Sequence, residues 1–328
     1  MKPIVAILLG DPAGIGPELV AKTAAAGELT DRCRPIVIGS RTVFDEIVSS
    51  LSLTVPYTPA DVRRAPEENE ILFMDVPLKG ADDVAFGTIG AVCGRQMAEQ
   101  IDLALSLFEA GQAAAVCFAP FTKASLKAYL GESLHGEMDY FTEKLGYTGP
   151  CCEINQLDGL YTTRATSHIP ISQVAAAITE DTVLTAVKLL WDTIVSTGNT
   201  APRIAVAALN PHGGENGTCG REEIDVIAPA IRKAASLGMP VSGPFPSDTV
   251  FVRAFNKKEF DGVVTLYHDQ GQIALKLLGF DRGVTIEGGL PCPITTPAHG
   301  SAMDIAGKGV ADTAAFLHAL DCAVSMAR

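Results

Sequence analysis

Short runs of apolar residues alternate along this chain with longer amphipathic stretches. The apolar runs end at turn residues, which indicates strands that are buried on both faces. The stretches between them repeat apolar residues at helical spacing, and several end at glycine. The pattern predicts an α/β protein with a largely parallel sheet. The predicted strands are IVAILLG (4–10), PIVIGS (35–40), EILFMDVP (70–77), AAVCFAP (114–120), RIAVAAL (203–209) and GVVTLY (262–267).

Helices are predicted between these strands, over 17–27, 41–51, 94–111, 181–198 and 220–238. The passage 151–167 breaks the alternation, because Asp158-Gly159 separates two strand-like runs as in a β-hairpin. We place a second subdomain around this hairpin. The sequence has no internal repeat and no Pro/Ser-rich linker, so we expect two domains that share strands and helices and are not joined by a tether.

Size and composition favour an enzyme over a simple binding module. A chain of 328 residues with 47% hydrophobic content can bury a large core, and this length suggests about two domains. The net charge of −13 argues against nucleic acid or an anionic membrane as a partner, because both require a basic patch. The expected partner is therefore a small molecule.

The sequence gives no sign of a membrane span or an export signal. No apolar run reaches the ~18–20 residues of a membrane helix, and polar residues interrupt the opening MKPIVAILLGDPAG too soon for a secretory signal. We therefore expect a cytoplasmic protein. The eight cysteines are scattered through apolar segments, which favours reduced thiols over disulfides.

Three histidines follow strand-like segments in polar, glycine-rich contexts: His168 in ATSHIP, His212 in LNPHGGENG and His268 in LYHDQG. The carboxyl ends of parallel strands line the ligand crevice of an α/β sheet, so these side chains are expected to converge. Three imidazoles with an open fourth position form the ligand set of a catalytic zinc-type ion. Taken singly, each fits a hydrogen-bonded structural role better, and the metal interpretation rests on all three together. His135 and His299 are weaker candidates.

Two loop-like passages are candidates for binding a nucleotide. In LLGDPAGIGPELVAK (8–22), Gly14 and Gly16 would let the backbone approach a ligand at a helix N-terminus. The spacing is not that of the Rossmann fingerprint, and a tight turn without a ligand remains open. In PAHGSAMDIAGKGVAD (297–312), small residues accompany His299, Asp304 and Lys308. This composition suits a nucleotide lying against backbone, although close helix packing would give the same pattern.

These motifs together resemble a known family. GDPAGIGPE, APFTKASL, SHIP, LNPHGGENG, SDTVF, YHDQGQIALKLLGF and HGSAMDIAGKGVAD have the order and spacing of the 4-hydroxythreonine-4-phosphate dehydrogenase family of pyridoxal phosphate biosynthesis. The resemblance covers nearly the whole chain. It implies an isocitrate/isopropylmalate dehydrogenase-like fold, with two α/β subdomains around a central cleft. We assign 1–127 plus 286–328 to a subdomain with nucleotide-binding elements, and 128–285 to one with the metal site and the dimer interface.

The resemblance also implies the chemistry and the residues that perform it. Zinc, cobalt, magnesium or manganese would bind to His168, His212 and His268. The catalytic groups would be Lys276, Asp269 and Asp248. NAD or NADP would be held by residues including Gly14, Gly16, His299 and Asp304. The family oxidises a secondary alcohol, and the resulting β-keto acid loses carbon dioxide. It does so as a homodimer whose active site is completed across the interface.

Four substrate positions depart from the family pattern. A histidine-threonine pair is replaced by Glu137 and Met138, an asparagine by Thr285, and an anion-binding arginine by Ile294. With Lys276, these positions would line the substrate. We therefore expect the fold and the redox class to be retained and the substrate to differ. The family also contains enzymes for four-carbon sugar-acid phosphates and for carboxylated cyclohexadiene diols.

The leading hypothesis is a metal-dependent NAD(P) dehydrogenase that oxidises a secondary alcohol of a small hydroxy acid. The acid would be phosphorylated or not, with or without subsequent decarboxylation. Three alternatives stay open: a metal-dependent lyase or hydrolase that needs no nicotinamide, a cyclohexadiene-diol carboxylate dehydrogenase, and a catalytically idle ligand-binding homologue.

Overall fold

The computed structural model describes residues 1–60, 64–79, 85–131, 136–279 and 281–327. The chain divides into two compact units, which are unit 1 (1–148 and 290–328) and unit 2 (149–289). Both contain strands and helices, so the predicted α/β class is confirmed. Within the described ranges, no helix combines the length and the apolar character needed to cross a membrane.

Unit 1 contains six parallel strands in the order β3-β4-β2-β1-β5-β12, with labels that run along the whole chain. The central strand β1 is buried along almost its whole length, as its continuous apolar run predicts. The strands are β1 (Ile4–Leu8), β2 (Arg34–Gly39), β3 (Thr58–Pro59), β4 (Leu72–Asp75), β5 (Ala115–Phe118) and β12 (Ile294–Pro297).

The helices of unit 1 present their apolar sides to this sheet. They are α1 (Gly16–Ala25), α2 (Glu28–Arg32), α3 (Arg41–Ser50), α4 (Ala91–Glu109), α5 (Lys123–Leu130), α6 (Glu137–Lys144) and α12 (Ala314–Met326). Tyr140 and Phe141 of α6 belong to the same hydrophobic core as Phe118, and the ring centroids of Phe118 and Phe141 lie 5.7 Å apart. This packing places α6 in unit 1, beyond the predicted boundary at residue 127.

Unit 2 has a mixed sheet in the order β11-β6-β7-β10-β8-β9. The strands are β6 (Cys152–Leu157), β7 (Leu160–Arg164), β8 (Ile204–Ala207), β9 (Val241–Phe245), β10 (Gly262–Thr265) and β11 (Val284–Gly288). The predicted hairpin is present: β6 and β7 are antiparallel, and Asp158 and Gly159 have φ of 48° and 85° as a tight hairpin turn requires. Strands β7, β10, β8 and β9 are mutually parallel.

The helices of unit 2 are α7 (Ile171–Ala177), α8 (Glu180–Ser196), α9 (Ala228–Ser236), α10 (Ser247–Phe251) and α11 (His268–Gly279). A complete capping box at Thr179 and Thr182 begins α8. The single helix predicted over 220–238 is wrong in one respect. A wide π turn at Glu223–Ile227 precedes α9, whose first turn contains Pro229. Proline has no backbone N–H to donate, which favours a new start at that point.

One buried ion pair fixes the small-residue loop near the end of the chain. Glu18 is fully buried, and its carboxylate accepts hydrogen bonds from the backbone N–H groups of Gly309 (3.0 Å) and Ala311 (2.7 Å). The Lys22 ammonium lies 2.8 Å from the same carboxylate and donates to the carbonyl oxygens of Gly309 and Ala311. The pair therefore satisfies the backbone N–H and the carbonyl oxygen of both residues and holds this loop against α1.

We predict that Glu18→Ala destabilises the protein, because it removes two charge-assisted hydrogen bonds and leaves Lys22 without its carboxylate. Each such bond contributes about 1.5–3 kcal/mol, so the thermal midpoint should fall by several degrees. Glu46→Ala on the exposed side of α3 is the matched control. Equal midpoints for the two variants would contradict the role of this ion pair.

Candidate active site

The site begins with the register of three neighbouring strands. Strand β10 pairs in parallel with β7 on one side and with β8 on the other. Thr265 lies opposite Arg164, and Val264 lies opposite both Thr163 and Val206. The segments that follow the three strands therefore leave the same edge of the sheet, and each carries one of the predicted metal ligands.

Two of these ligands face each other. The ring centroids of His168 and His268 lie 5.6 Å apart, with an angle of 40° between the ring planes. Both rings line one cavity of about 350 Å³. The lining also includes the polar residues Ser167, Tyr267 and Asp269 and the apolar residues Ile169, Ile171 and Val174. The pair is thus open to a ligand from the cavity side.

The third predicted ligand stands apart from this pair. No group of three His, Cys, Asp or Glu side chains within the described ranges is arranged to hold a metal ion. His212 is exposed and does not line the cavity of His168 and His268. The structure therefore brings together two of the three predicted ligands and places the third on the neighbouring strand end.

Asp269 has a clear partner. Its Oδ1 lies 2.7 Å from Nδ1 of His268. A carboxylate can only accept, so Nδ1 of the ring carries the proton and Nε2 keeps its lone pair. Carboxylates orient metal-binding histidines in this way in many proteins. Asp269 was predicted as a catalytic group, and this stays a prediction; the contact that the structure shows is with His268.

His212 lies in an unusual backbone segment. Five consecutive residues, from His212 to Asn216, have left-handed φ values between 42° and 79°. Three of them are not glycine, and a side chain at such a position is strained. His168 is also left-handed, with φ of 51°. Strain of this kind persists only where surrounding contacts enforce it, and it concentrates at functional sites.

Glu223 supplies the contacts that enforce the His212 segment. It is 3% exposed, and its Oε1 accepts hydrogen bonds from the backbone N–H groups of Leu209 (2.8 Å) and Asn210 (2.7 Å). Its Oε2 accepts from the Asn210 amide at 2.9 Å. A Cβ at Gly214 would lie only 2.7 Å from Oε2, which explains the glycine. The sequence motif gave no indication of this anchor, because Glu223 lies in a segment with an ordinary helical pattern.

The neighbouring Glu222 makes a weaker contribution to the same anchor. Its Oε2 accepts from the Asn210 amide at 2.7 Å. Its own backbone N–H and the Asn210 side chain lower the pKa of the Glu222 carboxyl. The carboxylate is therefore charged at neutral pH and reinforces the orientation of Asn210.

Helix α11 presents a polar line of residues at four-residue spacing. His268, Gln272 and Lys276 share one face of the helix. Gln272 donates to Asn155 Oδ1 (2.6 Å), and Asn155 Nδ2 donates to Thr285 Oγ1 (3.1 Å). The predicted substrate position Thr285 is thus linked through a buried amide to the helix that carries two predicted catalytic groups.

Asp248 occupies an exposed position on the short helix α10, which packs against the turn Pro211–Gly217 and the strands β8 and β10. Its place beside the His212 segment is compatible with a role at the same end of unit 2. Arg164, at the end of β7, is buried and donates to Glu153 (2.5 Å) and Ser167 (2.9 Å).

The remaining predicted residues lie in unit 1. A Cβ at Gly14 would lie 2.8 Å from the Cβ of Ser301, and one at Gly16 would collide with the carbonyl of Leu9. Close packing therefore accounts for both glycines. His299 is partly exposed with its Nδ1 3.0 Å from the carbonyl oxygen of Gly300, and Asp304 is exposed. His135 lies outside the described residues.

The predicted substrate positions of unit 1 differ in how far they are buried. Glu137 and Met138 are partly buried in the first turn of α6, and the Glu137 carboxylate lies 4.0 Å from the ammonium of Lys123. Ile294 is fully buried in the hydrophobic core of unit 1. It offers no surface to a ligand, so its predicted role as a substrate contact is corrected: the side chain packs in the core.

Asp11 was not singled out by the sequence. It is fully buried in the glycine-rich turn, where its Oδ1 accepts from the backbone N–H of Ala13 at 2.9 Å. Burial raises the pKa of the Asp11 carboxyl. Its backbone N–H donates to Pro120, and the Ser301 hydroxyl donates to the same carbonyl oxygen. Three sequence motifs therefore meet at this point of unit 1.

Comparison with known proteins decides the family. Residues 31–323 match the model of the pyridoxal phosphate biosynthetic protein PdxA. The chain belongs to the PdxA family. It is 42% identical, over 99% of its length and 97% of the relative, to a Pseudomonas aeruginosa protein named "Putative 4-hydroxythreonine-4-phosphate dehydrogenase 2". It is 35% identical over the full length of both chains to the D-threonate 4-phosphate dehydrogenase of Pectobacterium atrosepticum.

Solved structures give the same result. The crystal structure of 4-hydroxythreonine-4-phosphate dehydrogenase from Klebsiella pneumoniae matches 100% of this chain and 98% of its own, with a TM-score of 0.87 and 32% identity. A terephthalate 1,2-cis-dihydrodiol dehydrogenase from Burkholderia xenovorans matches 99% of this chain and 98% of its own, with a TM-score of 0.70 and 27% identity. The predicted family and the predicted enzyme class, a dehydrogenase, are confirmed for this PdxA family member.

The donor set of this PdxA family member fits a divalent ion in its chemistry. Neutral imidazole nitrogens are good ligands for zinc and cobalt, and a carboxylate already holds the ring of His268 in one tautomer. The facing rings of His168 and His268 leave their cavity side open. The third predicted ligand, His212, does not lie with these two histidines.

We predict that Glu223→Ala loosens the segment that carries His212, because Leu209 and Asn210 lose their acceptor. Hydrogen–deuterium exchange should rise in peptides that cover 205–216 and stay unchanged in peptides from β1. Glu222→Ala is the matched control, since it removes a single contact to Asn210. Unchanged exchange in Glu223→Ala would show that other contacts hold the segment.

Proposed function

We propose that this PdxA family member oxidises a secondary alcohol of a small hydroxy acid with NAD or NADP, and that the resulting β-keto acid is decarboxylated. The observation that carries the proposal is the facing pair of His168 and His268 at the ends of adjacent parallel strands, over a common cavity. The dehydrogenase names of the relatives support the redox class. A divalent ion bound by these histidines would polarise a hydroxyl oxygen of the substrate.

A divalent ion would be held by His168, His212 and His268. When bound, it would supply Lewis-acid polarisation of a hydroxyl or carbonyl oxygen. Imidazole donors favour zinc or cobalt over magnesium or manganese. The carboxylate of Asp269 accepts a hydrogen bond from Nδ1 of His268. The other ring nitrogen, Nε2, is therefore the one that would bind the ion. The three ligands would be neutral, so the site keeps the full charge of the ion for the substrate.

The proton that leaves the substrate hydroxyl would be accepted by groups near this edge of unit 2. Lys276 lies on the same face of α11 as His268, and Asp248 lies on the helix that packs against the His212 segment. We propose these two side chains as the groups that hold and move the hydroxyl proton. A nicotinamide dinucleotide would accept the hydride. For it, His299 and Asp304 remain the proposed contacts, since Gly14 and Gly16 are explained by packing.

The substrate we propose is a hydroxy acid other than 4-hydroxythreonine 4-phosphate. Phosphate and carboxylate are best bound by an unpaired arginine. Position 294 carries a core isoleucine, and each alternative cation has a carboxylate partner. Arg164 pairs with Glu153, Arg282 with Asp158, and Lys123 lies 4.0 Å from Glu137. A four-carbon sugar acid without a phosphate does not need these positions to bind a second anion, and one relative is named for the 4-phosphate of such an acid.

A cyclic diol carboxylate is the second candidate, and one observation favours it. The cavity beside His168 and His268 has three aliphatic side chains in its lining, those of Ile169, Ile171 and Val174. Such side chains suit a ring better than an acyclic polyol. The structural similarity to a dihydrodiol dehydrogenase agrees with this lining.

We predict that the metal-loaded protein reduces NAD or NADP, followed at 340 nm, most efficiently with a four-carbon sugar acid that lacks a phosphate. Loss of a charged hydrogen bond is worth about 1.5–3 kcal/mol, so 4-hydroxythreonine 4-phosphate should be at least ~10-fold less efficient. A cyclohexadiene-diol carboxylate is included in the panel.

Two outcomes of this panel would contradict the proposal. A catalytic efficiency for 4-hydroxythreonine 4-phosphate above ~10⁴ M⁻¹s⁻¹, inside the ordinary enzyme range, would show that the substrate positions were misread. Consumption of any substrate without a change at 340 nm would instead support the lyase or hydrolase alternative. Binding of substrates with no turnover at all would support an idle homologue.

We also propose that the chain forms a homodimer whose active site is completed by the partner subunit. The supporting observation is an exposed apolar pair on α11, one helical turn after His268. Ile273 is 59% exposed and Leu277 is 83% exposed. They lie four residues apart and so share one face of the helix. A large aliphatic side chain with this exposure is common at an interface and unfavourable in water.

We predict that the wild-type protein sediments as a dimer and that Leu277→Glu shifts it towards monomer, because a charge would have to be buried in the interface. Leu237→Glu is the control, since Leu237 is also exposed, at 63%, but lies at the end of α9. A wild-type monomer with full activity would rule out the shared site.

A further inference from the structure

Gln270 lies in the first turn of α11, between His268 and Gln272, the first two residues of the polar line of that helix. The sequence motif YHDQG contains it, yet none of the roles proposed above uses its side chain. The amide is partly buried, and both of its ends are engaged by backbone groups of two different strand ends. This arrangement is more specific than a single hydrogen bond.

The first contact is to the segment that leads into His268. Gln270 Oε1 accepts a hydrogen bond from the backbone N–H of Leu266 at 2.7 Å. Leu266 is fully buried and lies just after β10. The bond closes the turn from the strand into α11, and so fixes the direction in which His268 leaves the sheet.

The second contact is to the segment that leads into His212. Gln270 Nε2 donates to the carbonyl oxygen of Ala208 at 2.8 Å. Ala208 is fully buried and directly follows β8, just before the residues that Glu223 anchors. The side chain therefore spans from the end of β10 to the end of β8.

The backbone of Leu266 also reaches the segment of His168. Its carbonyl oxygen accepts from the Thr166 hydroxyl at 2.7 Å and from the Thr166 backbone N–H at 3.2 Å. Thr166 is 8% exposed and lies two residues before His168. The Gln270 side chain and the backbone of Leu266 thus connect all three segments that carry the predicted ligands.

Only glutamine satisfies this pattern among side chains of its length. The Leu266 contact needs an acceptor and the Ala208 contact needs a donor, and a primary amide provides both. Glutamate keeps the acceptor and lacks the donor, whereas methionine has the same length and provides neither at useful strength. The helix start also packs closely on β10, since a Cβ at Gly271 would lie 3.2 Å from the Thr265 hydroxyl.

We propose that Gln270 is a positioning residue that sets the spacing of the His168, His212 and His268 segments, and so the affinity of the site for a divalent ion. The inference rests on the proposed metal-dependent function. It differs from that function in assigning control of metal affinity to a side chain that contacts no metal.

The test is cobalt binding to the purified full-length protein, with Co²⁺ as the probe. The Kd is measured by competition with a chelator, and the visible absorption of bound Co²⁺ reports the coordination geometry. Changes beyond the ligands themselves typically cost ~10–100-fold in metal affinity, so Gln270→Met should weaken Co²⁺ binding by that factor and alter the absorption bands. Gln270→Glu keeps the Leu266 contact but sets a carboxylate oxygen, which cannot donate, against the Ala208 carbonyl oxygen, so it should also weaken Co²⁺ binding relative to wild type.

Gln173→Met on the exposed side of α7 is the matched control, and should keep the wild-type Kd and spectrum. A wild-type Kd and spectrum in Gln270→Met, even with a lower thermal midpoint, would overturn the positioning role and leave the metal centre intact. No cobalt binding by the wild type would overturn the metal centre and the positioning role together. If Gln270→Met does not fold, Gln270→Glu provides the same comparison.

Discussion

The parallel pairing of β10 with both β7 and β8 is the constraint on which the candidate site depends. Because the three strands run in the same direction and in register, Arg164, Ala207 and Thr265 end at one edge of the sheet. The residues after them must then turn away from the sheet at nearly the same place. A sheet with one of these strands reversed would send its histidine to the opposite edge. The site is therefore a consequence of topology before it is a consequence of side-chain chemistry.

The conformational strain of the site lies in the backbone of the His212 segment. His212, Glu215 and Asn216 are left-handed, and each such residue costs roughly 1–2 kcal/mol. Glu223 offsets this strain with three hydrogen bonds, each worth about 1.5–3 kcal/mol because the acceptor is charged. The two contributions are of the same size. The hydrogen bonds of this buried carboxylate fix Leu209 and Asn210, which lie just before the segment, and are comparable in free energy with its strain.

Continuous apolar runs made most of the sheet predictable. All six predicted strands are present, because a strand buried on both faces has few polar positions. The missed strands are β3, which has two residues, and three others whose sequences are broken or mixed. Strand β9 contains Gly243-Pro244, β11 contains a buried Glu287, and β12 ends at Pro297. Local pattern does not identify such strands, because their neighbours in the sheet determine their conformation.

The site was predictable in its residue types and less so in its contacts. The histidines could be found because each follows a strand-like run. The partner of Asp269 and the anchor Glu223 depend on distances that no motif states. Gly14 and Gly16 show the reverse problem: a glycine required by Ser301 or Leu9 has the same sequence signature as one required by a ligand. Position 294 required the structure, since only burial shows that Ile294 belongs to the core.

The most direct test of the central claim is anomalous diffraction from crystals of the full-length protein grown with Co²⁺ or Zn²⁺. The account predicts one strong anomalous peak per chain, at about 2.0–2.1 Å from an imidazole nitrogen of each of His168, His212 and His268. That result requires His212 to move to the pair that the structure already brings together. A peak bound by other residues, or no peak in a crystal of active enzyme, would contradict the claim that these three strand ends form a metal centre.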